Sequence, residues 1–353
     1  MGAVATDVLV RGAGPVGCAL ALALQDSGLR IAVLESSPSR GSFRPIALSY
    51  ASRLILERAG VWERLESTPI ETVLISQQGA FGRTRLEAKD AGVPALGYVL
   101  DYGALAAALR SELERIRERS GIVVTNEAIA ARCEVHAEGT APEAEEKRYA
   151  QDAVVGVVRL ASPAGHTAHE RFTSEGPLAL LPLAGSYALV WSARPERARR
   201  LAELPEGQFL DELSATAGSR AGTMVAVESR AVQPLSLRVR AARVAPRAVY
   251  IGNAAQTLHP VAGQGLNLGL RDAWDLAQIL RDAEDPGDAA TLARYASSRS
   301  LDVGATTRVT DFLAGTGLVP RAARALALSV IDVLPGPRRF FARRMIYGYS
   351  ALP

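Results

Sequence analysis

The sequence predicts an α/β protein in which a nucleotide-type parallel-sheet domain, assembled from both chain ends, carries an inserted and mostly antiparallel sheet and ends in a helical segment. Three observations predict it. A strand–helix–strand pattern fills roughly the first 35 residues. A strand-rich stretch runs from Ala153 to about Val239. A glycine-bearing loop near residue 252 follows a strand and opens a further helix.

The elements follow in order. Residues 6–11 (Thr-Asp-Val-Leu-Val-Arg) read as a short strand ending at a turn, and a helical pattern runs from Pro15 to Asp26 until Gly28 stops it. Ile31-Ala32-Val33-Leu34 is a second buried strand ending in Glu35. Residues 49–66 are amphipathic and helical, with Leu54, Leu56, Ala59 and Val61 as the stripe. Residues 70–100 alternate and carry Gly and Pro, as sheet and loop do. Residues 103–119 form a helix with Leu105, Ala108, Leu109 and Leu113 on one side, and Ile122-Val123-Val124 is another strand. The stretch 138–150 is polar and without pattern. Beyond it lie the candidate strands Ala188-Leu189-Val190-Trp191 and Thr223-Met224-Val225-Ala226-Val227, interrupted by one helix around 205–217. Val249-Tyr250-Ile251 is the last strand, a helix runs from about Leu266 to Leu280, and 290–353 is helical with a break at Leu334-Pro335-Gly336-Pro337. No internal repeat is present. The expected organisation is a discontinuous nucleotide-binding domain from 1–69, 97–150 and 240–289, a sheet domain from 70–96 and 151–239, and a C-terminal helical region from 290–353.

The bulk composition narrows the function classes. With 48% hydrophobic and 22% charged residues the chain reads as an ordinary soluble globular protein. A net charge of +3 gives no footprint for nucleic acid. All but Lys89 and Lys147 of its 40 basic residues are arginine, which suits phosphate; the accompanying richness in Ala, Gly and Pro makes a compositional bias the simpler account. Cys18 and Cys133 are too few for a disulfide framework or a zinc site, and Cys18, among small residues, reads as packing in a reducing compartment. No apolar run reaches the ~18 residues that span a bilayer. Asp7 and Arg11 break up a would-be signal peptide, and the formal myristoylation match at Gly2 runs straight into a strand. The expected location is cytoplasmic, with peripheral contact at the inner membrane left open. His136, His166 and His169 show no ligand spacing, so no metal is expected.

Two segments carry chemistry. Gly12-Ala13-Gly14-Pro15-Val16-Gly17 is G-x-G-x-x-G placed directly after a strand and opening a helix, the context that the motif requires. Gly12 permits the tight turn, Gly14 lets backbone approach a pyrophosphate at the helix N-terminus, and Gly17 lets the helix lie close on the strand. Glu35, 18 residues past Gly17, stands where a carboxylate accepts hydrogen bonds from ribose. The second segment runs from Gly252 and Asn253 to Ala273, and there Gly263 and Gly265 bare the backbone at a helix start, a place that stabilises ligand negative charge.

That second segment closely resembles the second FAD motif of the class A flavoprotein monooxygenases, and in particular of their ubiquinone-biosynthesis hydroxylase branch. Phe43-Arg44-Pro45-Ile46-Ala47-Leu48-Ser49, Tyr98-Val99-Leu100-Asp101-Tyr102, and Glu170-Arg171-Phe172-Thr173 with the following Ser174 to Leu183 resemble the same branch, in its order and over nearly the whole chain. The Glu-Arg-Phe-Thr segment and Asn253 are most similar to hydroxylases of 2-polyprenyl-6-methoxyphenols. The resemblance implies a Rossmann-like FAD-binding domain of the glutathione-reductase type. It implies NAD(P)H as transient co-substrate, O2, and hydroxylation of a polyprenylated phenol through a flavin C4a-hydroperoxide. Partners would be that small molecule, other ubiquinone-biosynthesis proteins and peripheral membrane, with no nucleic acid.

Carried over by position, Gly12, Gly14, Gly17 and Glu35 would hold the ADP half of FAD, and Arg44 the pyrophosphate. Asn253 would reach the ribityl chain, Gly252 beside it would bind the cofactor, Pro260 would lie near the flavin, and Gly263, Gln264, Gly265, Leu266 and Asn267 would line the ring. Asp101 stands where the branch has an acid, though Tyr102 replaces its usual polar amide. Glu138-Gly139 stands for the family's Asp-Gly, with the stretch from Val124 to Val135 short for the usual hairpin. No side chain is expected as a catalyst, because flavin hydroxylation needs little from them; His259 shapes the backbone beside Pro260. The run Arg338-Arg339-Phe340-Phe341-Ala342-Arg343-Arg344-Met345-Ile346-Tyr347 suits an anionic membrane surface, and suits equally a helix packed by its apolar face. The alternatives are a reductase or dehydrogenase of the same fold acting on an isoprenoid, and a non-catalytic subunit of a ubiquinone-biosynthesis complex.

Overall fold

The computed structural model describes residues 6–35, 44–139, 144–257, 264–313 and 321–348. Its first layer is a six-stranded sheet in the order Val244–Ala245, Ala248–Tyr250, Ala131–His136, Thr6–Arg11, Ile31–Leu34, Val123–Thr125. The pairings are parallel except between the first two strands. Both faces of a parallel sheet must be covered, so its strands are near-continuous apolar runs; Val8, Leu9, Val10 and Val33 are fully buried. The helices Pro15–Ala23, Tyr102–Ser120 and Gln264–Arg281 belong to the same core.

The second layer has eight strands, in the order Gln256–Thr257, Met224–Val239, Glu145–Leu160, Ser186–Ala193, Pro177–Leu183, Thr167–Phe172, Thr72–Gln77, Arg83–Glu87. It is antiparallel except for the pairing of Thr167–Phe172 with Thr72–Gln77. The edge strand Gln256–Thr257 is part of the loop that follows Ala248–Tyr250, so the second glycine segment bridges the two layers. A third, small antiparallel sheet is formed by Pro45–Ser49, Gly97–Asp101 and Thr68–Ile70.

Several expectations need correction. Residues 145–150, expected without structure in the nucleotide domain, begin the long Glu145–Leu160 strand of the eight-stranded sheet. The strand Ala131–His136 has no counterpart in the sequence pattern, yet it pairs with Thr6–Arg11 in the middle of the parallel sheet. The helix expected over 49–66 covers Tyr50–Arg58, stops before Gly60 (φ +73°) and is followed by a 3-10 turn at Trp62–Arg64. Helix Pro195–Glu203 interrupts the strand-rich stretch unannounced, although Pro at its first turn fits its start. The break at 334–337 shrinks to Leu334, since proline lacks only an N–H that the first helical turn does not use, and Pro335–Tyr347 starts at once.

Candidate functional site

The strand Thr6–Arg11 runs into Gly12, whose φ of +107° and closeness to Ala137 exclude a side chain; a Cβ there would lie 2.8 Å from the Ala137 carbonyl oxygen. Gly14 is the N-cap of helix Pro15–Ala23, and a Cβ on it would meet nothing within 4 Å, so the helix N-terminus opens on free space. Gly17 lies one turn inside, where a Cβ would collide with the Gly12 carbonyl; it closes helix against strand. Cys18 and Cys133 are buried beneath, their thiols pushed up to about 12 by burial, and they are packing residues.

The second segment is brought to the first by small residues. A Cβ on Gly269, in helix Gln264–Arg281, would lie 2.8 Å from Val16 and 3.1 Å from the Gly252 Cα, so that helix crosses Pro15–Ala23 closely only because position 269 is bare. Behind the crossing lies a buried ionic knot. Asp272 accepts from the Gly252 N–H (3.0 Å), Gln256 Nε2 (2.8 Å) and Arg299 Nε (2.8 Å). Arg299 also donates to Asp275 (2.6 Å) and Asp302 (2.8 Å), and Arg271 donates to Asp302 (2.9 Å). Burial opposes the Asp302 charge, but Arg271 and Arg299 prevail and hold its carboxyl below the usual range. The 252–257 loop therefore hangs from a carboxylate on the helix it precedes.

One cavity of about 1100 Å³ joins these parts, above the ~300–1,000 Å³ of ordinary small-molecule sites. Gly12, Gly14, Arg44, Glu138, Gly139, Asn253, Gln264, Gly265, Leu266 and Asn267 all stand on its wall. Asn267 is committed to the scaffold: it accepts from Ser49 N (2.8 Å) and Ser52 Oγ (2.7 Å) and donates to the Ala47 carbonyl (3.0 Å). It pins strand Pro45–Ser49 to the helix. Four expected residues stand off the wall. Gly17 and Gly252 shape backbone (Gly252 at φ +57°). Glu35 pairs at 3.4 Å with Arg110, and it is Arg110 that faces the cavity. Asp101 spends one oxygen on the Ala104 N–H (2.9 Å) at the start of helix Tyr102–Ser120 and the other on the Arg44 N–H (2.8 Å). It positions Arg44, whose guanidinium lies 5.1 Å from the Tyr102 ring centre. Pro260 and Gly263, with His259, lie outside the described residues.

The far wall is one face of the eight-stranded sheet. Strand registers place Ile75, Glu170, Ala179, Val190, Val155 and Ala231 in a row across it, every one on the cavity. Helix Pro335–Tyr347 contributes Phe341, Met345 and Ile346. Glu170 is the only ionisable residue of the row; among the described residues its Oε1 has no hydrogen-bond partner, and burial pushes its carboxyl up to about 7. In the sequence Glu170 is a family match without a role, and Arg110 does not stand out. The available signal for Glu170 is alternation: Ala168 and Phe172 are buried, so position 170 between them has to face the same way.

A glycine turn that a Cβ would fill, an open helix N-terminus, the two cations Arg44 and Arg110, and a second bare helix start at Gly265 are the parts that hold a dinucleotide with one charged and one planar end. FAD fits them. The layout defines a flavin-dependent oxidoreductase whose cofactor cradle opens directly on an apolar chamber. The FAD-binding domain family matches residues 5–103 and 132–310, and the chain belongs to that family. Among its relatives are ubiquinone hydroxylase UbiL of Rhodospirillum rubrum and 3-demethoxyubiquinol 3-hydroxylase of Escherichia coli. UbiL is 30% identical over 380 residues (96% of this chain, 88% of UbiL), and the second is 29% identical over 337 residues (84% and 86%). The UbiL alignment is longer than the 353-residue chain, so UbiL carries extra segments within it. In fold, the chain is similar to p-nitrophenol 4-monooxygenase PnpA of Pseudomonas putida, with a TM-score of 0.76, 15% identity and coverage of 98% of this chain and 99% of that one. The chain is an FAD-dependent monooxygenase.

Proposed function

We propose that the enzyme hydroxylates a polyprenylated phenol of ubiquinone biosynthesis with NAD(P)H and O2. The observation that carries this reading is the continuity of the cavity from the Gly12 turn to the sheet row, with walls there mostly apolar. An isoprenoid tail needs such a chamber, since each buried CH2 contributes about 0.8 kcal/mol. The relatives, a ubiquinone hydroxylase and a demethoxyubiquinol hydroxylase by name, support the substrate class.

Bound FAD supplies the redox and oxygen-activating chemistry. The chain's own residues bind, orient and dry the site. The N-terminus of Pro15–Ala23 with Arg44 and Arg110 holds the pyrophosphate, and Glu35 orients Arg110. Main chain at Gln264, Gly265 and Leu266, at a helix start, supports negative charge on the ring, with Asn253 at the ribityl side. Helix Pro335–Tyr347 and the sheet exclude water around the phenol.

No described helix is long and apolar enough to cross a membrane. A lipid-borne substrate would reach the site from a peripheral surface: Leu326 (67% exposed), Val333 (74%) and Phe340 (69%) on the two C-terminal helices, with Leu334 between them, are exposed apolar residues beside exposed Arg339 and Arg343. The reading is tested by supplying the purified FAD-loaded enzyme with NADH or NADPH and a panel of prenylated phenols while O2 uptake and product mass are followed. One oxygen atom incorporated per NAD(P)H oxidised supports it; NAD(P)H oxidation without oxygenated product across the panel rejects it in favour of a reductase.

A further inference from the structure

The sheet row that faces the flavin cradle is apolar at five of its six positions, and its sixth is Glu170. A carboxyl is costly there. Taking it out of water without a partner is disfavoured, and among the described residues nothing compensates its Oε1. A glutamate kept only for packing would be served better by leucine, and one kept for stability would have an arginine beside it. The neighbours on either side in the row are Ile75 and Ala179, and the helix that closes the chamber offers Phe341, Met345 and Ile346. Among the described residues, the other ionisable groups on the wall are Arg44, Tyr102, Arg110 and Glu138 on the nucleotide side and His169 on the same strand, its ring edge-on to Tyr187. Glu170 itself lines the chamber and is only partly covered, so its carboxyl stands at the wall of the space where the substrate ring must lie.

We propose that Glu170 is a catalytic residue that receives the substrate's phenolic hydroxyl: its carboxylate accepts the O–H hydrogen bond and takes the proton as the ring is hydroxylated. The inference rests on the proposed phenol reading. In the step, the phenol O–H bond breaks, an Oε–H bond forms on Glu170, and the electron pair stays on the phenolate oxygen, from where it enriches the ring toward oxygen transfer. Glu170 returns the proton to that oxygen when the hydroxylated ring regains aromaticity, and the displaced ring proton leaves to water. Desolvation makes the residue a better base for this transfer. At about 7 rather than 4.5, its carboxylate is nearer a phenol's ~10 by an amount that favours transfer roughly a few hundred-fold. The same carboxylate selects for a hydroxyl donor, since a ligand without one leaves it buried and unpaired.

The test separates recognition from turnover. A 2-prenylphenol, whose O–H stays protonated at pH 8, and its methyl ether are titrated into the FAD-loaded enzyme at pH 8 and pH 5.5, and the flavin absorbance is followed. The wild type is expected to bind the phenol over the ether by roughly 10- to 100-fold at pH 8, the scale of one hydrogen bond to a charged group, and by less at pH 5.5. Glu170→Gln, with flavin content and melting temperature checked, is expected to bring the ratio near one at both pH values and to lower kcat. A wild-type ratio near one, or a Glu170→Gln ratio equal to the wild type's, overturns the inference, and so does failure to bind either ligand. The ratio is read without turnover, so a phenol that binds selectively and is never hydroxylated sinks the proposed function while leaving Glu170's recognition role in place.

Discussion

Removing the Asp272 carboxylate should loosen the flavin loop before it unfolds the protein. The side chain is fully buried and holds three groups at once: the Gly252 N–H, Gln256 Nε2 and Arg299 Nε. Asp272→Ala leaves a buried arginine short of one partner and two loop donors with none. Breaking one side of a buried ionic pair costs ~3–5 kcal/mol, against a total stability of ~5–15 kcal/mol. Asp275 and Asp302 still hold Arg299, so the lower end applies to global unfolding. At ~2.1 cal/mol/K per residue over 353 residues, a loss of about 3–4 kcal/mol lowers Tm by roughly 5 °C. The local effect is larger, because the loop from Gly252 to Gln256 has lost its anchor. Flavin release on heating should therefore precede tryptophan unfolding in the variant and coincide with it in the wild type. Asp272→Asn, which keeps an acceptor, should fall between the two. The assay is a thermal ramp recording flavin and tryptophan fluorescence together, with FAD per chain taken from the visible band. An Asp272→Ala protein with wild-type FAD content and a melting point within a degree of wild type would refute the reasoning.

Other perturbations have equally definite outcomes. Gly12→Ala places a Cβ against the Ala137 carbonyl at a φ of +107°, and Gly17→Ala drives one into the Gly12 carbonyl; both should yield protein that fails to retain FAD on gel filtration. Arg44→Ala or Arg110→Ala should weaken FAD binding by roughly 10- to 100-fold in a titration of apoprotein, the scale of charge-assisted hydrogen bonds. Glu170's carboxyl is raised when folded, so it costs nothing while both states are protonated. The cost grows as pH rises past its ordinary 4.5, and it is complete above about 7, where it reaches up to about 3 kcal/mol. Glu170→Gln should therefore gain in Tm relative to wild type by roughly 4 °C more at pH 8 than at pH 5 by differential scanning fluorimetry, and an unchanged gap refutes the shift. Phe340→Glu together with Leu334→Glu should abolish co-flotation with anionic vesicles while FAD content stays unchanged.

The strand–helix–strand opening was legible because three signals agree within a few residues: apolar strands at 6–11 and 31–34, a helix between them, and glycines at the turn. The convergence of distant glycine segments was legible only through the resemblance, since the contact among Val16, Gly252 and Gly269 leaves no periodic trace. Strand Ala131–His136 was hidden by its charges. Cys133 and Val135 are buried, while Glu134 reaches across to Arg11 at 2.7 Å, so a central strand reads as a polar connection. Asp101 and Asn267 show the opposite difficulty, because residues in motif positions spend their side chains on caps and clamps that only coordinates reveal. The knot of Asp272, Arg299 and Asp302 resembled ordinary solvated helix charge, because pairing across 27 residues has no local signature.

The central claim is that one cavity presents a phenol to the flavin. Its most direct test is a crystal structure of the enzyme with FAD and a prenylated phenol. The expected result is FAD running between residues 12–16 and 264–267, with the phenol oxygen within hydrogen-bond distance of the Glu170 carboxylate and the prenyl tail against the sheet row. Electron density for the two ligands on separate surfaces, with protein between them, would contradict it.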